Sequence, residues 1–318
     1  MLKTSVITAG LAAIVLSAQA QLKPSDIEKM ISDLSNWGRW GKADQRGALN
    51  LITPAKRKQA AGLVKEGQSV SLSHNPLTEK AVDNPNPLEL TMTVRPGSPV
   101  ALDQWRVSHH GFTFSHLDAL CHWRFKDKMY NGFDASETTE QGCAKEGIEN
   151  YKDGILSRGI LIDIPRLKGV PYLEPGTAIY ATDIEAWEKK AHVKTGPGDV
   201  VLIRTGRWAR RAAVGPFSIQ STSAGLHVSA LPRFKTRDVA LIGTDVGLDV
   251  APAGVEGVVN PVHTVALVAM GVPIIDNADL EALGETAARL NRWEFMFSAA
   301  PIPVTGATGS LLNAVATF

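Results

Sequence analysis

Residues 108–123 read S-H-H-G-F-T-F-S-H-L-D-A-L-C-H-W. Four of the chain's eight histidines, His109, His110, His116 and His122, fall in this stretch together with Asp118. Neutral imidazoles and a carboxylate are the donor set of a borderline divalent ion such as Zn²⁺ or Mn²⁺. His116 and Asp118 stand at i and i+2, so on an extended segment they share one face. His122 lies four residues beyond Asp118 and returns to the same place if the chain turns helical there. His110 and His116 are six residues apart, which on a straight strand is roughly 20 Å, too far for one ion. The five residues between them must therefore bend, and Gly111 permits a bend. If His110 points inward, His109 points elsewhere.

Ligands from distant sequence must complete such a site. His263, two residues beyond Pro261 on a predicted helix over 261–270 that Gly271 stops, is the first candidate. Asp276 closes the strand V-P-I-I-D and is followed by Asn277. Strand ends are where α/β folds place site residues. Each has a plainer reading alone, a structural histidine and a turn. His227, in A-G-L-H-V-S-A, is a candidate for substrate or outer-layer contact, or else a helix-end histidine. Phe112, Phe114 and Trp123 are pocket-wall candidates, although core packing explains each singly.

Outward from this stretch, short apolar strands alternate with helical segments. Ile27, Met30, Ile31 and Leu34 recur at helical spacing. Thr53-Pro54 opens a second helix, with Gly67 as its stop. Residues 70–100 hold short strand-like runs. Strands are expected at R-G-I-L-I-D-I, ending at Pro165, over 199–205, at D-V-A-L-I-G-T-D, ending at Asp245, and over 274–276. The last is expected near 293–299. Thr182 with Glu185 forms a capping box for a helix through Ala191. The alternation predicts an α/β chain, and no composition break divides residues 21–318.

The first twenty residues read differently. Lys3, an apolar run from Val6 to Ser17 and Ala18-Gln19-Ala20 form a secretory signal peptide, with the mature chain starting at Gln21 and a periplasmic or secreted destination. Lys3 is the only charge of that segment, so 33 Lys and Arg fall to 32 against 32 Asp and Glu. A neutral chain with no basic run is a poor partner for nucleic acid, and no second apolar stretch is long enough for a membrane span. An oxidising compartment permits a disulfide between Cys121 and Cys143, the only two cysteines. The apolar surroundings of Cys121 favour a buried free thiol instead.

H-L-D-A-L-C-H resembles the metal signature H-x-D-x-x-x-H of the cyclase family, which includes bacterial kynurenine formamidase and isatin hydrolase. The resemblance extends to N-W-G-R-W-G and A-L-N-L-I-T-P, to G-D-V-V-L-I-R-T-G-R-W, to D-V-A-L-I-G-T-D, to His263 with G-V-P-I-I-D-N, and to G-A-T-G-S. It implies a swivelling β/β/α-type fold in a single domain over 21–318, assembly as a homo-oligomer, and one or two divalent ions, Zn or Mn. It implies metal ligation by His116 and Asp118, joined downstream by His263 and Asp276, and an acid/base role for His122. Family members usually carry a further ligand histidine four residues before the one matching His116. Phe112 stands there in this chain, and His110 resembles the variant H-G-x-x-x-T-H form that replaces it. The downstream carboxylate is commonly Glu, one methylene longer than Asp276. The implied chemistry is hydrolysis of an amide, ester, lactone or cyclic amide of a small molecule. Two other readings compete: a non-catalytic exported protein that binds a metal or small ligand, and a Cys121 nucleophile with His122 as base. Adjacent strand residues point to opposite faces, which argues against the second.

Overall fold

A computed structural model describes residues 22–318. The leader expected over 1–20 and the cut before Gln21 lie outside the described residues. The described chain is a mixed α/β domain built on one curled nine-stranded sheet. Its centre is four parallel strands in the spatial order Ile155–Asp163, Val200–Arg204, Leu241–Thr244 and Ile274–Asp276. Their runs of Val, Ile and Leu are buried nearly throughout, as parallel strands covered on both faces require. Antiparallel strands complete both sides. Glu294–Ala299, Val315–Thr317 and Ser69–Ser71 extend one flank, and His116–Asp118 followed by Gly309–Leu311 the other.

The helices depart from expectation at their ends. The first spans Pro24–Asp33. The second, Pro54–Ala61, is capped by the Thr53 hydroxyl accepting from the Lys56 amide, as the sequence suggests, but it stops at Gly62 rather than Gly67. Gly67 instead takes a positive φ of 68° just before the strand Ser69–Ser71. The helix Ala181–Ala191, capped by Tyr180, starts two residues earlier than the Thr182–Glu185 box predicts. Asp183, not Glu185, accepts from the backbone amide of its cap residue, Tyr180, at 2.9 Å. The segment after Asn260 begins as an α-helical turn, Pro261–His263, and widens into a π-helical stretch, Thr264–Met270, which Gly271 ends in the left-handed conformation. Such widened turns commonly mark functional positions.

Two short strands, Gly309–Leu311 and Val315–Thr317, follow Glu294–Ala299, which is therefore not the last. Cys121 and Cys143 are joined by a disulfide across 6.4 Å between Cα atoms, both buried, so the free-thiol reading does not hold. The pairing also removes Cys121 as a nucleophile.

Candidate metal centre

The short strand His116–Asp118 lies between Ile274–Asp276 and Gly309–Leu311. Its register places His116 directly opposite Asp276, so the two side chains meet on one face of the sheet, with Asp118 two residues further along the same face. Leu117 points the other way into the core, fully buried. After Asp118 a single 3₁₀ turn, Leu120–His122, brings His122 back over that face. Its Nε2 lies 3.9 Å from Asp118 Oδ2.

His110 reaches the site because residues 107–115 form an irregular bend rather than a strand. Its Nδ1 is 3.2 Å from Asp118 Oδ1, its Nε2 pairs with Thr308 Oγ1 at 2.8 Å, and its ring stacks on His122 at 4.0 Å with an interplanar angle of 2°. Gly309 makes room for it: a Cβ there would stand 2.9 Å from His110 Cε1 and 2.7 Å from the Leu117 carbonyl oxygen. His109 turns aside, its ring 4.3 Å from that of His110 and its Nε2 buried without a partner. Burial, then the neighbouring imidazoles of His110 and His116, pushes its pKa down to about 4.

The downstream pair arrives from across the sheet. His263, buried at the start of the widened helix, places Nε2 3.3 Å from Asp276 Oδ2 and 3.7 Å from Asp118 Oδ2. The other four expected ligand residues, His110, His116, His263 and Asp276, thus converge on Asp118. The ring nitrogens are held in defined roles. His116 Nδ1 pairs with the Phe114 carbonyl at 2.8 Å, which directs its Nε2 to within 3.5 Å of Asp118 Oδ1. His263 Nδ1 pairs with Asp249 Oδ2 at 2.6 Å, which directs Nε2 inward. A carboxylate or carbonyl behind the outer ring nitrogen is the usual support of a metal-binding histidine.

The charges are unbalanced in a way that calls for a cation. Neither oxygen of Asp118, nor Oδ1 of Asp276, has a hydrogen-bond partner, although all three atoms are buried. Burial opposes the charge on Asp118, but the surrounding rings of His122, His110 and His116 hold its carboxyl well below the usual carboxylate range. Burial likewise opposes a charge on His263, and Asp276 and Asp249 overcome it and hold that ring well above the usual histidine range. An ionised carboxylate without a donor is costly in an interior unless a cation meets it. Ligand atoms of His110, Asp118 and His122 lie within 4.8 Å of one another, and so do those of His116, Asp118 and Asp276. Asp118 belongs to both groups. The residues present therefore fit one or two divalent ions of the nitrogen- and oxygen-loving kind.

A cavity of about 430 Å³ opens onto these groups, lined among others by Phe112, Trp123, Ile219, Gln220, Asn260 and His263. Trp123 is fixed in its wall by Nε1 donating to Thr264 Oγ1 at 2.8 Å. Phe114, a candidate wall residue from sequence, is buried and serves through its carbonyl. His227 does not line the cavity. Its Nδ1 pairs with Ser229 Oγ at 2.8 Å, and its ring packs 4.9 Å from Tyr180.

Asp249 was not among the residues singled out from sequence. The strand-end carboxylate that drew notice there, Asp245, accepts from the amides of Thr205 and Gly206 and organises a turn. Asp249, four residues on, accepts from the amides of Val262 and His263 as well as the ring. The only signal in the chain was a second Asp in D-V-G-L-D.

Comparison with known proteins bears on the family and the fold. The family model described as putative cyclase matches residues 88–250. The crystal structure of a protein described as a novel cyclase superposes with a TM-score of 0.81 at 33% identity, covering 91% of this chain and 99% of that one. Isatin hydrolase A from Labrenzia aggregata, at 17% identity, gives a TM-score of 0.58 over 81% of this chain and 94% of its own. A predicted metal-dependent hydrolase from Bacillus stearothermophilus, also at 17%, gives 0.51 over 78% and 97%. The last two share the fold. None of the curated proteins matches the chain in sequence.

Proposed function

Since the chain belongs to the cyclase family, we propose that it is a metal-dependent hydrolase of an amide, ester, lactone or cyclic amide carbonyl in a small molecule. The observation that carries this reading is Asp118: a buried carboxylate with no hydrogen-bond donor, ringed by four imidazoles. His110, His116, Asp118, His263 and Asp276 would hold one or two ions, Zn or Mn, and His116, Asp118 and Asp276 already bring three ligand atoms within 4.8 Å of one another. A divalent ion in such a site acidifies a water molecule and polarises a substrate carbonyl.

The chain's own groups do the rest. His122 reaches the same carboxylate from the cavity side, and burial keeps its pKa low, so the ring stands neutral and able to accept a proton. It takes the proton from the attacking water and returns it to the leaving nitrogen or oxygen, which balances the hydrolysis. Asp249 holds His263 in one orientation. Phe112, Trp123 and Ile219 offer apolar surface to the substrate, and Gln220 and Asn260 polar groups that orient it.

Export fits this reading. The leader expected over 1–20 would deliver the chain to the periplasm or the exterior, where the Cys121–Cys143 disulfide is stable. Sequencing the N-terminus of the secreted product should begin at Gln21, and full-length protein found only in the cytosol would count against it. No described helix is long and apolar enough to cross a membrane. The test of activity is a screen of metal-loaded protein against aryl formamides, lactones and cyclic amides. Turnover that a chelator abolishes and Zn²⁺ or Mn²⁺ restores supports the proposal. Full metal content with no turnover of any carbonyl compound would make the protein a binder rather than an enzyme.

A further inference from the structure

Arg207 opens the helix Arg207–Val214, and its side chain is buried. Taking a guanidinium out of water is costly unless its charge and its donors are met. They are met only in part. Nη2 lies 3.6 Å from Asp83 Oδ2, Nη1 donates to Asn277 Oδ1 at 3.4 Å, and neither Nε nor Nη2 makes a hydrogen bond. Asp83 has a better partner, since Arg211 donates to both of its oxygens, at 2.6 and 3.3 Å. Pairing with Asp83 therefore does not account for a buried arginine at 207. The contact that Arg207 supplies and Arg211 does not is the one to Asn277.

Asn277 joins the two halves of the candidate centre. It directly follows Asp276, is fully buried, and takes a left-handed φ of 55°. Its Nδ2 donates to the Gly111 carbonyl at 2.6 Å while its Oδ1 faces Arg207. A guanidinium only donates and a carbonyl only accepts, so these two partners fix which way the amide points. With Oδ1 turned to Arg207, Nδ2 is left facing Gly111, the neighbour of His110 and Phe112. Two residues on, Thr113 Oγ1 donates to Asn84 Oδ1 at 3.2 Å. Asn84 is itself locked, its Nδ2 donating to the carbonyls of Leu77 and Glu79 at 3.0 and 2.7 Å. The bend is thus gripped on both sides of Phe112, by Asn277 and by Asn84. Arg207 stands between the grips, touching Asn277 on one side and Asp83, the neighbour of Asn84, on the other.

We propose that Arg207 is a positioning residue of the metal centre: by orienting Asn277 it ties the bend that carries His110 to the strand end that carries Asp276. The proposal rests on the reading of those two residues as ligands. They come from segments 166 positions apart, and the Asn277–Gly111 bond is the direct link between their backbones. Groups behind a ligand commonly decide how well it is held. Without Arg207 the Asn277 amide loses the donor that orients it, its bond to Gly111 weakens, and His110 is held less firmly.

Two measurements test this on Arg207→Met and Asn277→Gly, with Arg210→Met as control. Arg210 lies on the same helix and pairs with the exposed Glu174. Glycine keeps the left-handed backbone at 277, so Asn277→Gly tests the tie even where Arg207→Met does not fold. The first measurement is chymotrypsin cleavage after Phe112 and Phe114 in metal-free protein, which follows local opening of the bend. Arg207→Met and Asn277→Gly should be cut there about tenfold faster than the wild type, the scale of losing one buried hydrogen bond. The second is the visible spectrum of Co²⁺-loaded protein, which should change in both variants as His110 loosens. Arg210→Met should match the wild type in both measurements. Cleavage at the wild-type rate, or faster cleavage spread equally to buried aromatics such as Phe234 and Phe297, would overturn the proposal, the latter by making Arg207 a matter of general stability. An unchanged cobalt spectrum would overturn the link to the metal centre. A wild type that takes up no cobalt would overturn the metal reading instead, and the cleavage rates would still decide whether Arg207 holds the bend.

Discussion

At the scale of single residues, His116 and His122 separate by what stands behind each ring. His116 is buried and fixed through Nδ1 to the Phe114 carbonyl, whereas His122 has no such bond, and its Nε2 lies 3.9 Å from Asp118. His116→Ala should therefore lose metal and activity together. His122→Ala should retain most of its metal while kcat falls about 10²–10⁴-fold, the usual effect of removing a general acid/base. Metal analysis beside steady-state kinetics checks both. A His122→Ala protein that loses metal as completely as His116→Ala would make His122 a ligand, a role its place beside His110 and Asp118 also allows. These residues were legible in the sequence because their relations are local: an i, i+2 pair on a strand and a return after one turn. Asp249 was not, since its link to His263 spans fourteen positions and depends on the path of the loop between them.

At the scale of elements, the central parallel strands and the helices between them could be read from apolar runs. The edge strands could not. Gly309–Leu311 and Val315–Thr317 have three residues each, too few for an alternation to show, and their state depends on the neighbour they pair with. The bend that delivers His110 was foreseen as a need, but its fit rests on Gly309 in a different element. Gly309→Ala tests that fit. Its new methyl would crowd both the Leu117 carbonyl and the His110 ring, and backbone cannot yield as a flexible side chain does. The expected cost is about 1–3 kcal/mol in denaturant unfolding, with weaker retention of the metal. A variant as stable and as metal-loaded as the wild type would show that His110 does not depend on the open space at this strand.

At the scale of the whole molecule, the interior holds a second carboxyl whose state couples to pH. Glu146 is fully buried with neither oxygen hydrogen-bonded. Burial, reinforced by the charge of Asp44, pushes its pKa up to about 9. The folded chain thus keeps a proton that the unfolded chain releases above about pH 4.5. Folding stability from this group is full below that pH and is lost progressively as pH rises towards 9. Glu146→Gln should flatten that decline and raise stability at pH 7 by about 1–3 kcal/mol. Unfolding curves from pH 5 to 9 check it, and parallel curves for the two proteins would show that Glu146 does not carry the dependence.

The same reasoning applied to Asp118 leads to the opposite result, because the histidines around it hold that carboxyl ionised and an ion is what such a cluster accepts. Elemental analysis of the purified protein after incubation with Zn²⁺ or Mn²⁺ and removal of free metal is the most direct test. The wild type should retain one or two divalent ions per chain, and folded Asp118→Asn should retain far less. A wild type that binds neither ion, or an Asp118→Asn variant that holds as much metal as the wild type, would contradict the assignment of this centre.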